Sequence, residues 1–229
     1  MFISKSMTPK VVTVREDTVV ISARELMVKH RIRHLPVIDE DDRLIGMVSD
    51  RDIRSALPRK VYTAIAEGQP VDDVEGIRVA EIMTRDPVSI SPHNTIEDAL
   101  LMLQGLRVGA LPVVDRDHRL VGIISVRDLL RAFIAVLGIE EPGTLLCILV
   151  EEKIGQMKKI VDTITAENIS FGSILVARYW EENMRAVFPY LLTNNVRTVK
   201  KKLEAQGFRL LDPMEWTMDR IPRHDPKSR

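Results

Sequence analysis

The sequence predicts a mixed α/β (α+β) fold in which two copies of one β-α-β-β-α unit are followed by a smaller β-α-β-β-α-β domain. Three observations predict it. Residues 7–53 align with 83–129 at a constant offset of 76 without a gap, and roughly a third of the aligned positions are identical. Both copies carry the same motifs in the same order: Met-Thr (Met7-Thr8, Met83-Thr84), Leu-Pro-Val (Leu35-Pro36-Val37, Leu111-Pro112-Val113) and Ser-x-Arg-Asp (Ser49 to Asp52, Ser125 to Asp128). Beyond residue 135 the repeat stops and a different succession of apolar periods begins. A fixed internal offset means one supersecondary unit used twice, so the chain divides into a first copy (1–57), a connector (58–78), a second copy (79–135), a further domain (136–212) and a tail (213–229).

Each element follows from local pattern. Val19, Ala23, Leu26 and Met27 recur at helical spacing within 18–29, as do Ile96, Ala99, Leu100 and Leu103 within 95–104, which predicts an amphipathic helix in each copy. A short apolar strand follows (35–38 and 111–114), then a turn rich in Asp and Arg, then a second strand (44–48 and 120–124). Ser49 and Ser125 stand where a hydroxyl caps a closing helix. In the connector, Pro58, Gly68, Pro70 and Gly76 with the acidic Asp72, Asp73 and Glu75 leave room for one short helix, over 61–67.

In the last domain a strand is predicted over 144–151, and Glu152 to Gln156 then turn into a helix carrying Met157, Ile160, Val161 and Ile164 on one face. A strand from Asn168 and Ile169 towards Tyr179 follows, with another over 184–188. Asn194 or Asn195 is placed to cap a helix with Val196, Val199 and Leu203 inward, Gly207 closes it, and 208–211 is the final strand. This order is a ferredoxin-like layout. The polar tail from Pro213 is expected to fray.

Composition narrows the function. Lysine plus arginine equals aspartate plus glutamate, 33 against 33, so there is no global field to hold nucleic acid or an anionic membrane, and neither is expected as a partner. The lone cysteine, Cys147, cannot form an intrachain disulfide, and the five histidines, His30, His34, His93, His118 and His224, show no metal-ligand spacing. No apolar run approaches membrane-spanning length and residues 1–7 lack a signal-type pattern, so a cytoplasmic protein is expected. Neither a Gly-x-x-x-x-Gly-Lys-Ser/Thr loop nor a Gly-x-Gly-x-x-Gly stretch is present, and the expectation is a non-enzyme that requires no cofactor.

The run Arg33 to Asp39, the stretch Leu44 to Asp52 and their second-copy equivalents make residues 1–135 resemble a tandem pair of CBS domains, a Bateman module. The resemblance implies a pseudo-twofold pair with two clefts that in many members take adenine nucleotides and regulate an attached or partner protein. The 136–212 segment is similar to an ACT domain, whose strand-to-helix turn reads Asp-x-Pro-Gly-x-Leu; here Glu152 and Gly155 remain, but Ile154 stands for the proline and Met157 for the leucine. A glycine there serves backbone geometry at least as readily as a ligand. The whole arrangement resembles acetoin-utilisation proteins of the AcuB type, which implies a stand-alone regulator, a homodimer through its CBS or ACT domains.

Candidate ligand residues follow. An aspartate one turn into a helix can accept from both hydroxyls of a ribose, while a serine hydroxyl and free amides face an anion. Asp52 with Ser49 and Arg51, and Asp128 with Ser125 and Arg127, have that form. The same spacing is a helix capping box, and the residues alone leave both open. Arg33 and His34 have no second-copy equivalent, Gly109 and Ala110 standing there; by resemblance they face phosphates in the Asp52 cleft, and by pattern alone they are a solvated edge. The resemblance also implies that each cleft borrows a wall from the other copy: Val88, Ser89 and Ile90 beside Asp52, and Val12, Thr13 and Val14 beside Asp128. The ligand it implies is AMP, ADP or ATP, with S-adenosylmethionine as a further possibility. A constitutive oligomerisation scaffold with vestigial clefts is the alternative.

Overall fold

Apolar spacing within each copy resolves into the same four elements in a computed structural model, which describes residues 1–69, 76–181 and 183–211. The first copy contains α1 (Val20–His30), β1 (His34–Ile38), β2 (Leu44–Ser49) and α2 (Asp50–Ala56). The connector supplies α3 (Arg59–Ala66), and the second copy opens with α4 (Val79–Ile82), which leads into β3 (Thr84–Arg85). The second copy contains α5 (Ile96–Leu106), β4 (Ala110–Val114), β5 (Leu120–Ser125) and α6 (Val126–Leu137). Residues 70–75 of the connector and the tail 213–229 lie outside the described residues. The chain separates into two compact units, Met1–Arg131 and Ala132–Arg229.

In the first unit, Val20, Ala23 and Met27 on α1 pack with Leu35, Val37 and Val48 of the hairpin and Ile53 of α2, all nearly fully buried. That face of α1 follows the helical repeat, and the two strands are buried at most of their positions. Both helices α1 and α5 end on a left-handed arginine, Arg31 (φ 54°) and Arg107 (φ 55°), at equivalent positions. Both hairpin turns are held alike: Asp39 accepts from the amides of Asp41 and Arg43, and Asp115 from those of Asp117 and Arg119.

The opening strand of each copy is reduced to a crossing segment. Thr8 exchanges backbone hydrogen bonds with Ile123 of the second copy at 2.9 and 3.0 Å, and β3 pairs with β2 of the first, Thr84 opposite Met47. Each segment then returns to its own hairpin, Val14 running parallel to Val37 and Ile90 to Val113. The two hairpin turns also meet, the amide of Leu44 donating to His118 and that of Leu120 to Asp42. Every segment that enters a copy therefore passes first over the other one.

In the second unit β6 (Thr144–Leu145), β7 (Cys147–Glu151), α7 (Gln156–Thr165), β8 (Phe171–Glu181), β9 (Met184–Leu191), α8 (Arg197–Ala205) and β10 (Arg209–Leu211) follow in order. The sheet runs β10-β7-β9 with β8 on the far side of β9, all neighbours antiparallel. This is the β-α-β-β-α-β order expected from the sequence. The strand predicted over 144–151 is divided because Leu146 faces Pro189, which has no amide to donate; β6 and β7 nevertheless keep one register against β9. Ile160 and Ile164 of α7 and Val199 and Leu203 of α8 are buried on the sheet with Ile148, Val187 and Leu191. Met157 stays exposed, and neither Asn194 nor Asn195 caps α8: its N-cap is Val196, and the Asn195 amide donates instead to the Thr193 hydroxyl.

Candidate functional site

Two cavities flank the doubled motif within the first unit. One, of about 680 Å³, is lined by Ser49, Arg51 and Asp52 together with Thr84, Pro87 and Val88 from the lead-in of the second copy. The other, of about 560 Å³, is lined by Ser125, Arg127 and Asp128 with Thr8, Lys10, Val11 and Val12 from the lead-in of the first. Both lie in the size range of small-molecule sites, about 300–1,000 Å³. The crossing segments thus bring each aspartate into one cavity with residues from the other copy's lead-in.

The wall residues differ in detail from those expected. Val88 and Val12 line the cavities, but Ser89 and Ile90, and Thr13 and Val14, do not. Val14 and Ile90 pair with their own hairpins and are buried, 5% and 3% exposed. The cavity positions fall earlier, at Thr8, Lys10, Val11, Thr84 and Pro87. The signal for them was in the sequence, since Met-Thr opens both copies.

The Ser-x-x-Asp motif forms the capping box in both copies. Asp52 Oδ2 accepts from the Ser49 amide at 2.8 Å and from its hydroxyl at 2.6 Å, a capping box for α2. Oδ1 accepts nothing among the described residues, and Asp52 lines the cavity. Asp128 repeats the box, with the Ser125 amide at 2.9 Å and hydroxyl at 2.5 Å. Its Oδ1 meets the Thr8 hydroxyl and Arg131 Nη1 only at 3.5 Å, the limit of a hydrogen bond, and the residue is 7% exposed.

Arg33 and His34, expected in the Asp52 cleft alone, line both cavities. The imidazole sits against Gly109, where a β-carbon would come within 2.8 Å of Cε1. The absence of a side chain at Gly109 lets the ring reach the boundary between the clefts. Burial pushes His34 below its ordinary pKa; Asp52 and Asp50 oppose this, and Arg33 adds to it. Arg31 and Arg107 join opposite clefts, Arg31 the Asp128 cleft and Arg107 the Asp52 cleft.

A half-buried polar cluster borders the Asp52 cleft. Asp50 accepts from Arg24 at 2.8 Å, from the Tyr62 hydroxyl at 2.6 Å and from Arg54 at 2.8 Å, and the Arg24 guanidinium lies 4.1 Å from the Tyr62 ring centroid. Sequence reading missed it because its parts come from α1, α2 and α3.

In the second unit Glu152 forms an ion pair with Arg185, and Gly155 adopts φ 92° as the N-cap of α7. The glycine thus meets a backbone requirement. Among the described residues no group of His, Cys, Asp and Glu could hold a metal ion, and no helix is long and apolar enough to cross a membrane.

Comparison with known proteins gives the family. The CBS domain matches residues 3–59 and 79–135. A CBS domain-containing protein of Dictyostelium discoideum is 31% identical over 140 residues, covering 60% of this chain and 94% of that protein. The chain belongs to the CBS-domain family. CBS pairs typically bind adenine nucleotides or S-adenosylmethionine as regulatory modules. A crystal structure of a Vibrio cholerae protein assigned to acetoin utilization (AcuB) matches with a TM-score of 0.50 and 26% identity, over 61% of this chain and 96% of that one. The inosine-5'-monophosphate dehydrogenase of Methanocaldococcus jannaschii is 33% identical over 121 residues, 53% of this chain but only 21% of the enzyme. Likewise the match covers 24% of a homoserine O-acetyltransferase from Methanohalobium evestigatum.

Proposed function

We propose that this protein is a non-catalytic sensor whose CBS pair binds an adenine nucleotide, AMP, ADP or ATP, and passes its state to the second unit or to a partner protein. The observation that carries this reading is the divided role of Asp52. One oxygen fixes the start of α2 and the other is uncommitted, in a cavity that also holds Arg33, His34, Arg51 and Arg107. A carboxylate for a sugar diol and guanidinium groups for phosphate are the two chemistries a nucleotide needs. Ligand binding shifts a conformational equilibrium only through differential affinity, and the crossing segments link each cavity to both copies.

The second unit is read as an ACT-type domain that transmits rather than binds, because Glu152 is engaged by Arg185. A cytoplasmic homodimer requiring no cofactor completes the proposal, and likeness to AcuB favours a place in acetoin metabolism. S-adenosylmethionine remains a competitor for the same clefts.

Thermal melting tests the proposal. AMP, ADP or ATP at millimolar concentration should raise the melting temperature, and Asp52→Asn or Asp128→Asn should each remove part of the rise while the unliganded protein stays folded. If no adenosine compound moves the transition, the constitutive scaffold is the better account.

A further inference from the structure

The two clefts share a frame and differ in charge. Arg51 and Arg107 in one correspond to Arg127 and Arg31 in the other, and Arg33 with His34 belongs to both. What each cleft adds to this frame is different. The Asp128 cleft adds Lys10 and Arg131 and no second carboxylate. The Asp52 cleft adds Arg54, but with it Asp50, which binds that guanidinium at 2.8 Å. The lysine has no counterpart either, since the equivalent position of the second copy is Asp86, outside the cavity.

Formal charge follows directly. Five arginine or lysine side chains face one carboxylate in the Asp128 cleft, against four facing two in the Asp52 cleft. Lys10, Arg31, Arg33 and Arg127 form no ion pair among the described residues, and the contact of Arg131 to Asp128 is long at 3.5 Å. A cleft with the larger cation surplus gains more with each phosphate added to its ligand, and the Asp52 cleft has half the surplus of the Asp128 cleft.

Resting on the nucleotide reading above, we propose that the clefts sort adenosine ligands by phosphate number: the Asp128 cleft takes the di- or triphosphate, and the Asp52 cleft takes a ligand with one phosphate or none. The sorting residues are Lys10 and Arg131. Neither is needed for the core: Lys10 is exposed and the Arg131 side chain is 69% exposed.

Calorimetric titration of the full chain with adenosine, AMP, ADP and ATP, without divalent cations, tests this in the wild type and in Lys10→Met, Arg131→Met and Asp52→Asn. Lys10→Met should weaken ATP by about tenfold and AMP by less than about twofold, with the ATP difference fading at high salt. Asp52→Asn should abolish the AMP isotherm and leave that of ATP. Equal weakening of ATP and AMP by both surface variants, or loss of ATP with retention of AMP in Asp52→Asn, overturns the sorting while leaving nucleotide binding intact. Silence of the wild type towards all four compounds overturns the nucleotide reading itself, and the sorting with it.

Discussion

Met83 covers Gly46 so closely that a β-carbon on the glycine would approach its sulfur to 2.5 Å and the Thr84 carbonyl to 3.3 Å. The pseudo-symmetric pair is Met7 over Gly122, at 2.6 Å, with the Thr8 carbonyl at 3.2 Å. Each glycine is the place where a crossing segment lies on the other copy's hairpin, and just beyond it the segment enters a cleft. Gly46→Ala must therefore displace the methionine and strain the pairing of β3 with β2. The expected cost is about 1–3 kcal/mol of stability, as for other overpacked sites, measured by urea unfolding. It should also weaken the Asp52 cleft, which Thr84 lines, more than the Asp128 cleft. Gly122→Ala should invert that preference through Thr8.

Arg33 serves both cavities. Arg33→Met should weaken phosphate-bearing ligands in each cleft, by about tenfold if one charge-assisted contact of about 1.5 kcal/mol is lost. Arg51→Met should affect only the Asp52 cleft. Titration of both variants separates the shared contact from the private one, and an Arg33 effect confined to one cleft would show that the guanidinium serves only that side.

His34 gives the site a pH dependence. Burial holds the folded imidazole below its unfolded pKa, so between the two values the unfolded chain binds more protons. The contribution of His34 to stability is thus complete above the unfolded value and falls as the pH drops through that window towards the folded value. A phosphate near the ring reverses the tendency, because an anion favours the imidazolium. Phosphorylated ligands should then bind with proton uptake and more tightly as the pH falls from about 8 to about 6. Calorimetry in buffers of different ionisation enthalpy measures that uptake directly, and His34→Gln should abolish it.

How much of this was legible beforehand depended on whether a feature was local. The helices, hairpins and Ser49 and Ser125 caps follow from spacing within a few residues, and they appear where the repeat put them. Identical motifs also pointed to Asp52 and Asp128. The cleft walls were misplaced by a few residues because a crossing segment has no periodicity of its own: whether Thr8 or Thr13 faces the cavity is decided by which hairpin the backbone pairs with. Arg33 and His34 could be recognised as unmatched by the second copy, but their place between both cavities depends on the open space at Gly109. Pro189 likewise divides a strand that the facing sequence reads as continuous.

Tyr62 fastens the connector helix α3 to the first copy. Its hydroxyl donates to Asp50 at 2.6 Å and its ring supports Arg24, whose Nε has no hydrogen-bond partner among the described residues. The Asp50 and Arg24 side chains are only 14% and 11% exposed. Burial would raise the pKa of Asp50, but the Tyr62 hydrogen bond and the charges of Arg24 and Arg54 outweigh it and hold the carboxyl below its ordinary value. The stability this group contributes is therefore present above its unfolded pKa and is lost as the pH falls through the lower, folded one. Tyr62→Phe keeps the ring and removes the hydroxyl. It should cost about 1.5–3 kcal/mol at neutral pH, the range for hydrogen bonds to charged groups, and should shift the acid unfolding midpoint upward because Asp50 then protonates more readily. Asp50→Val, which installs the second copy's residue at this position, should be worse, since it leaves Arg24 buried without its carboxylate. Acid titration followed by circular dichroism distinguishes the two: a Tyr62→Phe protein with an unchanged acid midpoint would mean that the arginines alone hold Asp50 ionised.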